Sequence, residues 1–311
     1  MTAARTEIDL GASFQGCPTL PGCPHCASAA TRWSFVDGVY CISLRHRDDR
    51  AADAARELHR VGLCARALFY RPTRDPSAKR GCWESHRAVA MHASARGLRR
   101  VLILEDDVLF PPSFSALTVE RIGAALASLP PDWLGFYLGH WALWAYPVGR
   151  NVLRCSSLCT HAYVASERLL AWLGATPFER RNDVRRSWIG GNGIDTAFAA
   201  LPGMYAFRPL VAVQRRVPSD HLHTPRRRIW PLRKLMLDLL ARSGLREYAL
   251  AHAMGANEKL AIALTPLLLP GLWASRRLAR RRGSAASTTP AFPAAPDSPP
   301  RCAPRGGPRS T

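Results

Sequence analysis

Three consecutive carboxylates are the residues of this chain best suited to chemistry: Glu105, Asp106 and Asp107. They follow residues 101–104, an apolar run with the length and branching of a strand that is buried on both faces. In open α/β sheets, ligands bind outside the carboxyl ends of the strands, where these carboxylates would lie. Hard divalent cations such as Mg²⁺ and Mn²⁺ prefer oxygen ligands and keep substrate phosphates as further ligands. This acidic triplet therefore predicts either a metal–nucleotide site or a solvated acidic turn after a core strand.

The pattern that leads to the triplet alternates between strand and helix. Apolar strand patterns cover residues 39–44, 67–70 and 101–104, and helical patterns cover residues 51–60 and 81–96. Strands that alternate with helices predict an α/β fold with a mainly parallel sheet and right-handed crossovers.

The chain after the triplet is more varied. Strands are predicted at residues 133–139, 161–165, 205–208 and 210–214, and helices at residues 114–129 and 166–173. Residues 141–150 are predicted to form a loop. A glycine-rich loop at residues 188–195 brings Asp195 to a helix start, and a polar loop at residues 219–223 contains His221 and His223.

Composition divides the chain into four segments. An irregular leader rich in Cys and Pro covers residues 1–35, and the α/β domain covers residues 36–225. A basic and apolar helical extension covers residues 226–282. The tail at residues 283–311 is dominated by Ala, Ser, Thr and Pro and is predicted to be disordered.

The formal charge of +20 is concentrated at the C-terminal end. Residues 226–311 hold 16 of the 43 Lys and Arg residues but only 4 of the 23 Asp and Glu residues. This excess predicts contact with an anionic surface, such as membrane lipid or a nucleic acid, or else a solvated tail. Residues 260–273 are apolar but shorter than the roughly 20 residues of a membrane-spanning helix. They predict either an interfacial membrane contact or a buried C-terminal helix.

The nine cysteines are an odd number, and residues 1–15 contain no apolar core of signal-peptide length. A reducing, cytoplasmic location is therefore predicted rather than a disulfide scaffold, with peripheral contact to the inner face of the membrane through the basic extension. Cys17, Cys23 and Cys26 lack a second pair at zinc-site spacing, so free thiols are favoured over a structural zinc.

With these elements placed, the chain resembles glycosyltransferase family 25, which contains lipopolysaccharide β-galactosyltransferases and collagen galactosyltransferase domains. The resemblance covers roughly residues 38–224, and Ser43 stands where the family usually has Asn. Four matches occur in the family's order: Ile42-Ser43-Leu44 with Arg47 and Arg50; Gly81-Cys82-Trp83-Glu84-Ser85-His86; Ile103-Leu104 with the acidic triplet; and Asp195, Pro209 and Gln214 to Ser219.

The resemblance implies a Rossmann-like domain of the GT-A type that binds a nucleotide sugar. It further implies an inverting transfer of a hexose, galactose above all, from a UDP-sugar to a hydroxyl of a glycan such as lipopolysaccharide. Mn²⁺ or Mg²⁺ would stabilise the charge on the leaving nucleotide diphosphate. The loop at residues 141–150 is expected to set the sugar, the acceptor and the linkage.

Residue roles follow from the resemblance. Asp107 is the expected direct metal ligand, with Glu105 and His221, or His223 in place of His221, as further ligands. Asp195 is the expected base for the acceptor hydroxyl, although an aspartate at a helix start also serves as an N-cap. The donor-binding residues are expected to be Ile42, Leu44, Arg50, His86 and Asp106, with His86 at a helix start that faces phosphates.

Two other functions fit the same residues. The first is a non-catalytic protein that binds a membrane or a nucleic acid through the basic extension, although no nucleic-acid motif is present. The second is a nucleotide hydrolase that uses the same metal site without an acceptor.

Overall fold

The computed structural model describes residues 14–18, 31–181, 193–215 and 252–266. Within these residues, helices cover both faces of a seven-stranded mixed sheet in an α/β arrangement. The predictions for residues 188–192, for His221 and His223, for residues 226–246 and for the tail lie outside the described residues.

The secondary-structure elements are numbered in chain order. The strands are β1 (Phe14–Gly16), β2 (Gly38–Ile42), β3 (Ala67–Tyr70), β4 (Arg100–Glu105), β5 (Val108–Leu109), β6 (Gly135–Gly149), β7 (Val152–Ser166), β8 (Met204–Phe207) and β9 (Val213–Gln214). The helices are α1 (Asp48–Arg60), α2 (Ala78–Ala95), α3 (Ala116–Ala127), α4 (Glu167–Ala175), α5 (Ile194–Ala200) and α6 (residues 252–266). The sheet order is β1-β3-β2-β4-β7-β6-β8, and β5 pairs with β9 separately.

The first half of the fold confirms the predicted alternation. β2 pairs in parallel with both β3 and β4, and helices α1 and α2 connect the three strands. Successive residues of β4 enter opposite core layers: Leu102 and Leu104 pack with α1 and α3, whereas Val101 and Ile103 pack with α2 and α4. The strand is therefore buried on both faces, as its unbroken apolar composition predicted.

The second half departs from a mainly parallel sheet. β6 and β7 form a long antiparallel hairpin, and β7 runs antiparallel beside β4. The prediction of a loop at residues 141–150 was wrong, because residues 141–149 belong to β6 and pair with β7 from Leu158 to Val152. Several register shifts interrupt this pairing. Such bulges break the two-residue alternation by which a strand is recognised.

Part of the predicted irregular leader belongs to the core. Phe14–Gly16 pairs antiparallel with β3, and the Phe14 ring stacks on His92 at 3.9 Å between centroids. Trp33 is completely buried, and its indole N–H donates a hydrogen bond of 3.0 Å to the Val61 carbonyl. The prediction of an irregular leader was therefore wrong for these residues.

Helix α6 packs against β6 through side-chain to backbone hydrogen bonds. Asn257 Oδ1 accepts from the Ala142 N–H at 2.8 Å, and Thr265 Oγ1 accepts from the Ala145 N–H at 2.9 Å. Thr265 is buried, whereas Leu260 and Leu264 are exposed. Residues 260–266 thus have one buried face, and residues 267–273 lie outside the described residues. Among the described helices, none combines the length and the apolar character needed to cross a membrane.

The cysteines of the described residues differ in state. Cys41, Cys82, Cys155 and Cys159 are free thiols. Cys64 is disulfide-bonded, which the prediction of a reducing compartment did not anticipate.

Candidate active site

A cleft opens where the carboxyl ends of β2 and β4 meet the start of α2. Parallel strands end at the same edge of a sheet, so residues far apart in sequence meet there. The cleft is lined by Ile42, Leu44, Arg50, Arg74, Asp75, Ala78, Gly81, Cys82, Ser85, His86, Glu105, Asp106, Asp107 and Gln214.

Backbone hydrogen bonds hold the acidic triplet at the mouth of this cleft. The Asp106 N–H donates to the Ile42 carbonyl at 3.0 Å, and the Asp107 carbonyl accepts from the Arg215 N–H. The pairing of β5 with β9 follows immediately. The fold therefore sets the direction in which each of the three carboxylates points.

Arg50 of α1 divides the triplet into two groups. Its Nη2 atom lies 2.6 Å from Asp106 Oδ1 and 3.4 Å from Asp107 Oδ2. The side chains of Arg50, Asp106 and Asp107 are only 11%, 7% and 15% exposed, so water screens these contacts weakly. Glu105 forms no ion pair with Arg50 and instead contacts His86 and Thr160.

One guanidinium serves two buried carboxylates here. Burial raises the pKa of Asp106 to about 6, although the Arg50 charge acts in the opposite direction. Burial, followed by the charge of Glu105, raises the pKa of Asp107 well above its usual range. Asp107 Oδ1 is buried and has no hydrogen-bond partner among the described residues. A further cation beside Asp107 would therefore stabilise the ionised form of both carboxyl groups.

Glu105 belongs to a separate buried network. Its Oε1 atom accepts a 2.8 Å hydrogen bond from the Thr160 hydroxyl and lies 3.4 Å from His86 Nε2. The other ring nitrogen of His86, Nδ1, lies 2.9 Å from the Tyr163 hydroxyl. Burial favours a higher pKa for Glu105, but the interactions with His86 and then Thr160 outweigh it and lower the pKa.

Helix α2 begins earlier than its sequence pattern indicated. Ser77 is the N-cap, and its hydroxyl accepts from the Arg80 N–H at 3.4 Å. The prediction that His86 stands at the helix start was therefore wrong, because His86 lies about two turns further along and is buried. The residues of the helix start that line the cleft are Ala78 and Gly81. A Cβ atom at Gly81 would lie 2.9 Å from Asp75 Cβ, so only glycine allows the preceding loop to fold back this closely.

Asp195 approaches the same region from α5, where it is half-buried in the first turn. The N-cap position is occupied by Gly193, so the alternative role of Asp195 as N-cap was wrong. Burial raises the pKa of the Cys82 thiol well above its usual range, and the charges of Glu105, Asp195 and Asp107 raise it further. The carboxylate of Asp195 is thus close enough to the cleft wall for its charge to raise the pKa of Cys82.

Most of the predicted site residues share the cleft. It contains Ile42, Leu44, Arg50, His86, Glu105, Asp106 and Asp107. Asp195 does not line it, and His221 lies outside the described residues. The roles assigned to all of these residues remain predictions. The sequence interpretation missed Arg74 and Asp75. This charged pair follows β3, which runs parallel to β2, and parallel strands end at the same edge of a sheet, so its position was a usable signal.

The comparisons with solved structures include two weak matches. A structure described as that of A197 from STIV has 11% sequence identity and a TM-score of 0.31, and the match covers 59% of this chain and 99% of that chain. UDP-glucose pyrophosphorylase complexed with UDP-glucose has 9% identity and a TM-score of 0.32, and the match covers 59% of this chain and 76% of that chain. No protein-family model and no curated protein matches the sequence. The mixed α/β assignment therefore depends on the strand order and pairing.

Proposed function

We propose that this chain is a metal-dependent glycosyltransferase of the GT-A type, which transfers a hexose from a UDP-sugar to a glycan hydroxyl with inversion. The observation that carries the proposal is the shared cleft, in which Asp106 and Asp107 lie with Arg50 and Arg74 at the start of α2. It combines oxygen ligands for a cation with positive groups for a diphosphate. Membership of family 25, galactose as the sugar and lipopolysaccharide as the acceptor are finer parts of the proposal, supported by the sequence motifs.

The residues present fit a hard divalent cation at Asp107. Its Oδ1 atom is a buried acceptor without a hydrogen-bond partner among the described residues, and Oδ2 is only 3.4 Å from Arg50. A bound Mn²⁺ or Mg²⁺ would supply stabilisation for the negative charge that develops on the leaving nucleotide diphosphate. Asp106, held by Arg50, is then placed to accept hydrogen bonds from donor hydroxyl groups.

The diphosphate of the donor fits the wall formed by Arg50, Arg74 and the start of α2. The first N–H groups of a helix have no partner within the helix, and the helix dipole adds positive charge at this end. Gly81, which lets the loop that contains Asp75 fold back onto the helix, also lines this wall.

Asp195 is proposed to take the proton from the acceptor hydroxyl as that oxygen attacks the sugar. Its half-buried position at the start of α5 and the effect of its charge on the pKa of Cys82 support this role. Residues 141–149, which include the exposed Trp141, are proposed to select the acceptor and lie on strand β6 rather than in a loop.

The test is a panel of nucleotide sugars incubated with the full-length protein and Mn²⁺, with nucleotide release measured with and without a cell-envelope glycan. We expect release from a UDP-hexose that requires the divalent cation and increases with the acceptor. Asp107→Asn should lower turnover by at least about 100-fold, the loss typical of removing a group that stabilises charge in the transition state.

The matched control is Asp132→Asn, because Asp132 is an exposed carboxylate away from the cleft. It should leave turnover unchanged. Full activity in a folded Asp107→Asn protein would contradict the metal assignment. Nucleotide release that the acceptor does not affect would identify a hydrolase instead, and no release from any donor would leave a binding protein.

A further inference from the structure

A second set of potential metal ligands converges on the cleft, distinct from the Asp106–Asp107 pair. Cys82 and His86 are four residues apart on α2, which places them one above the other on the same helix face. Glu105 reaches them from the end of β4. The ligand atoms of Cys82, His86 and Glu105 all lie within 4.8 Å of one another.

His86 presents a nitrogen to this set that no other described residue binds. The side chain is 1% exposed, and its Nδ1 atom is engaged by the Tyr163 hydroxyl at 2.9 Å. The Nε2 atom is buried, has no hydrogen-bond partner among the described residues and lies 3.4 Å from Glu105 Oε1. Metal-binding histidines commonly have their second nitrogen held in this way, which fixes the ring orientation.

The spacing is close to that of a four-coordinate metal. Bonds of about 2.0–2.3 Å in tetrahedral geometry place neighbouring ligand atoms roughly 3.3–3.8 Å apart. The His86–Glu105 separation of 3.4 Å already falls in this range. Since the remaining separations are at most 4.8 Å, a small side-chain movement would complete the set.

We propose that Cys82, His86 and Glu105 form a three-ligand site for Zn²⁺ whose fourth coordination position opens into the cleft. A thiolate, an imidazole and a carboxylate match the preference of Zn²⁺, whereas Mg²⁺ and Mn²⁺ prefer oxygen ligands such as the Asp107 carboxylate. Binding deprotonates Cys82, and the thiol proton leaves to solvent. Glu105 is thereby assigned to Zn²⁺ rather than to the Mn²⁺ or Mg²⁺ that is proposed to bind at Asp107 with the UDP-sugar.

The test titrates full-length protein with Co²⁺, a spectroscopic substitute for Zn²⁺, in the absence of any nucleotide sugar. Thiolate coordination of Co²⁺ produces a near-ultraviolet charge-transfer band. We expect the wild type to bind one equivalent of Co²⁺ that produces this band, and Zn²⁺ to displace it. The band should be lost in Cys82→Ser. The matched control is Cys155→Ser, because Cys155 is a free thiol on β7. It should retain the band.

A substitution behind the ligands gives a graded effect. Tyr163→Phe removes only the hydroxyl that holds His86 Nδ1. It should weaken Zn²⁺ binding by about 10- to 100-fold, as expected for loss of an outer-shell partner. An unchanged band in Cys82→Ser, or no band in the wild type, would overturn the proposal.

Alkylation of the wild type keeps the proposal testable if Cys82→Ser does not fold. Zn²⁺ should slow the reaction of Cys82 with iodoacetamide, mapped by mass spectrometry, without slowing that of the nearby, half-buried Cys159. Equal protection of both thiols, or of neither, would also overturn it. Neither readout involves a donor sugar, so failure of the proposed transferase activity and failure of this site are separate outcomes.

Discussion

At the scale of single residues, three neighbouring carboxylates have three different environments. Asp106 is paired with Arg50, one oxygen of Asp107 has no hydrogen-bond partner within the described part of the chain, and Glu105 contacts His86 and Thr160. The different directions arise because the strand ends at Glu105 and the backbone then turns into β5. Adjacent acidic residues in a sequence can therefore belong to separate sites.

Asp195→Asn tests the proposed base. Loss of a general base typically lowers a rate by about 10² to 10⁴. We expect kcat for transfer to fall by this amount, while KM for the donor changes little because Asp195 does not line the cleft. Kinetics with and without acceptor provide the measurement, and Asp132→Asn serves again as the control. An equal loss of donor affinity would contradict a role confined to the acceptor.

Arg50→Met tests the ion pairing of the triplet. The substitution leaves two buried carboxylates without their guanidinium, which should cost roughly 3–5 kcal/mol of unfolding free energy where both are ionised. Since the pKa of Asp106 is already raised to about 6, protonation should relieve the loss as the pH falls.

The measurement is urea denaturation of both proteins at about pH 5 and about pH 8. The loss caused by Arg50→Met should be larger at the higher pH. Arg56→Met, at a side chain that is 68% exposed, should cost little at either pH. A loss from Arg50→Met that does not depend on pH would show that the guanidinium acts through packing alone.

At the scale of elements, local patterns predicted the β2–α1–β3–α2–β4 alternation well. They failed for β1 and for the β6–β7 hairpin. β1 has only three residues, too few to show a periodicity, and it exists because β3 offers an open edge. In the hairpin, bulges and the residues Pro147 and Gly149 conceal the strand pattern.

Trp33→Ala tests whether the segment before β2 belongs to the domain. Trp33 is completely buried among α1 and α3 residues, so we expect a loss of about 3–5 kcal/mol in unfolding free energy from the cavity that results. Trp141→Ala, at a side chain 38% exposed, is the control and should cost far less. Similar urea midpoints for the two variants would show that the Trp33 segment does not contribute to the core.

At the scale of the whole molecule, α6 adds a buried polar cluster to the sheet. Glu258 Oε2 lies 3.7 Å from His140 Nε2, and both residues are buried with His161 close by. Burial raises the pKa of Glu258 to about 7, although Arg208 and Lys259 oppose it. Burial, followed by the charge of His161, lowers the pKa of His140 to about 4. The pKa of His161 is lowered as well, again mainly by burial.

These shifts have opposite effects on stability. A raised carboxyl pKa means that the folded state binds more protons, so the contribution of Glu258 is lost as the pH rises through about 7. A lowered histidine pKa means that the unfolded state binds more protons, so stability is lost as the pH falls below the unfolded value of about 6.5. The cluster should therefore contribute most near neutral or slightly acidic pH.

Glu258→Gln tests this balance. Between about pH 6.5 and about pH 8, the wild type should lose roughly 1 kcal/mol of unfolding free energy that the variant does not lose. Urea denaturation at several pH values gives the difference between the two proteins. Parallel stability profiles would show that Glu258 is already ionised in the folded state, and the assignment of a neutral carboxyl would fail.

The sequence by itself determined the α/β alternation, the doubly buried strand β4 and the carboxylates at its exit, because these depend on the local spacing of apolar and polar residues. Through the family resemblance, it also indicated seven of the fourteen residues that line the cleft. Only the tertiary structure decided that Arg50 holds Asp106 and Asp107, and that Glu105 turns to Cys82 and His86. Those contacts join residues far apart in the chain, and their directions depend on how helices α1 and α2 pack on opposite faces of the sheet.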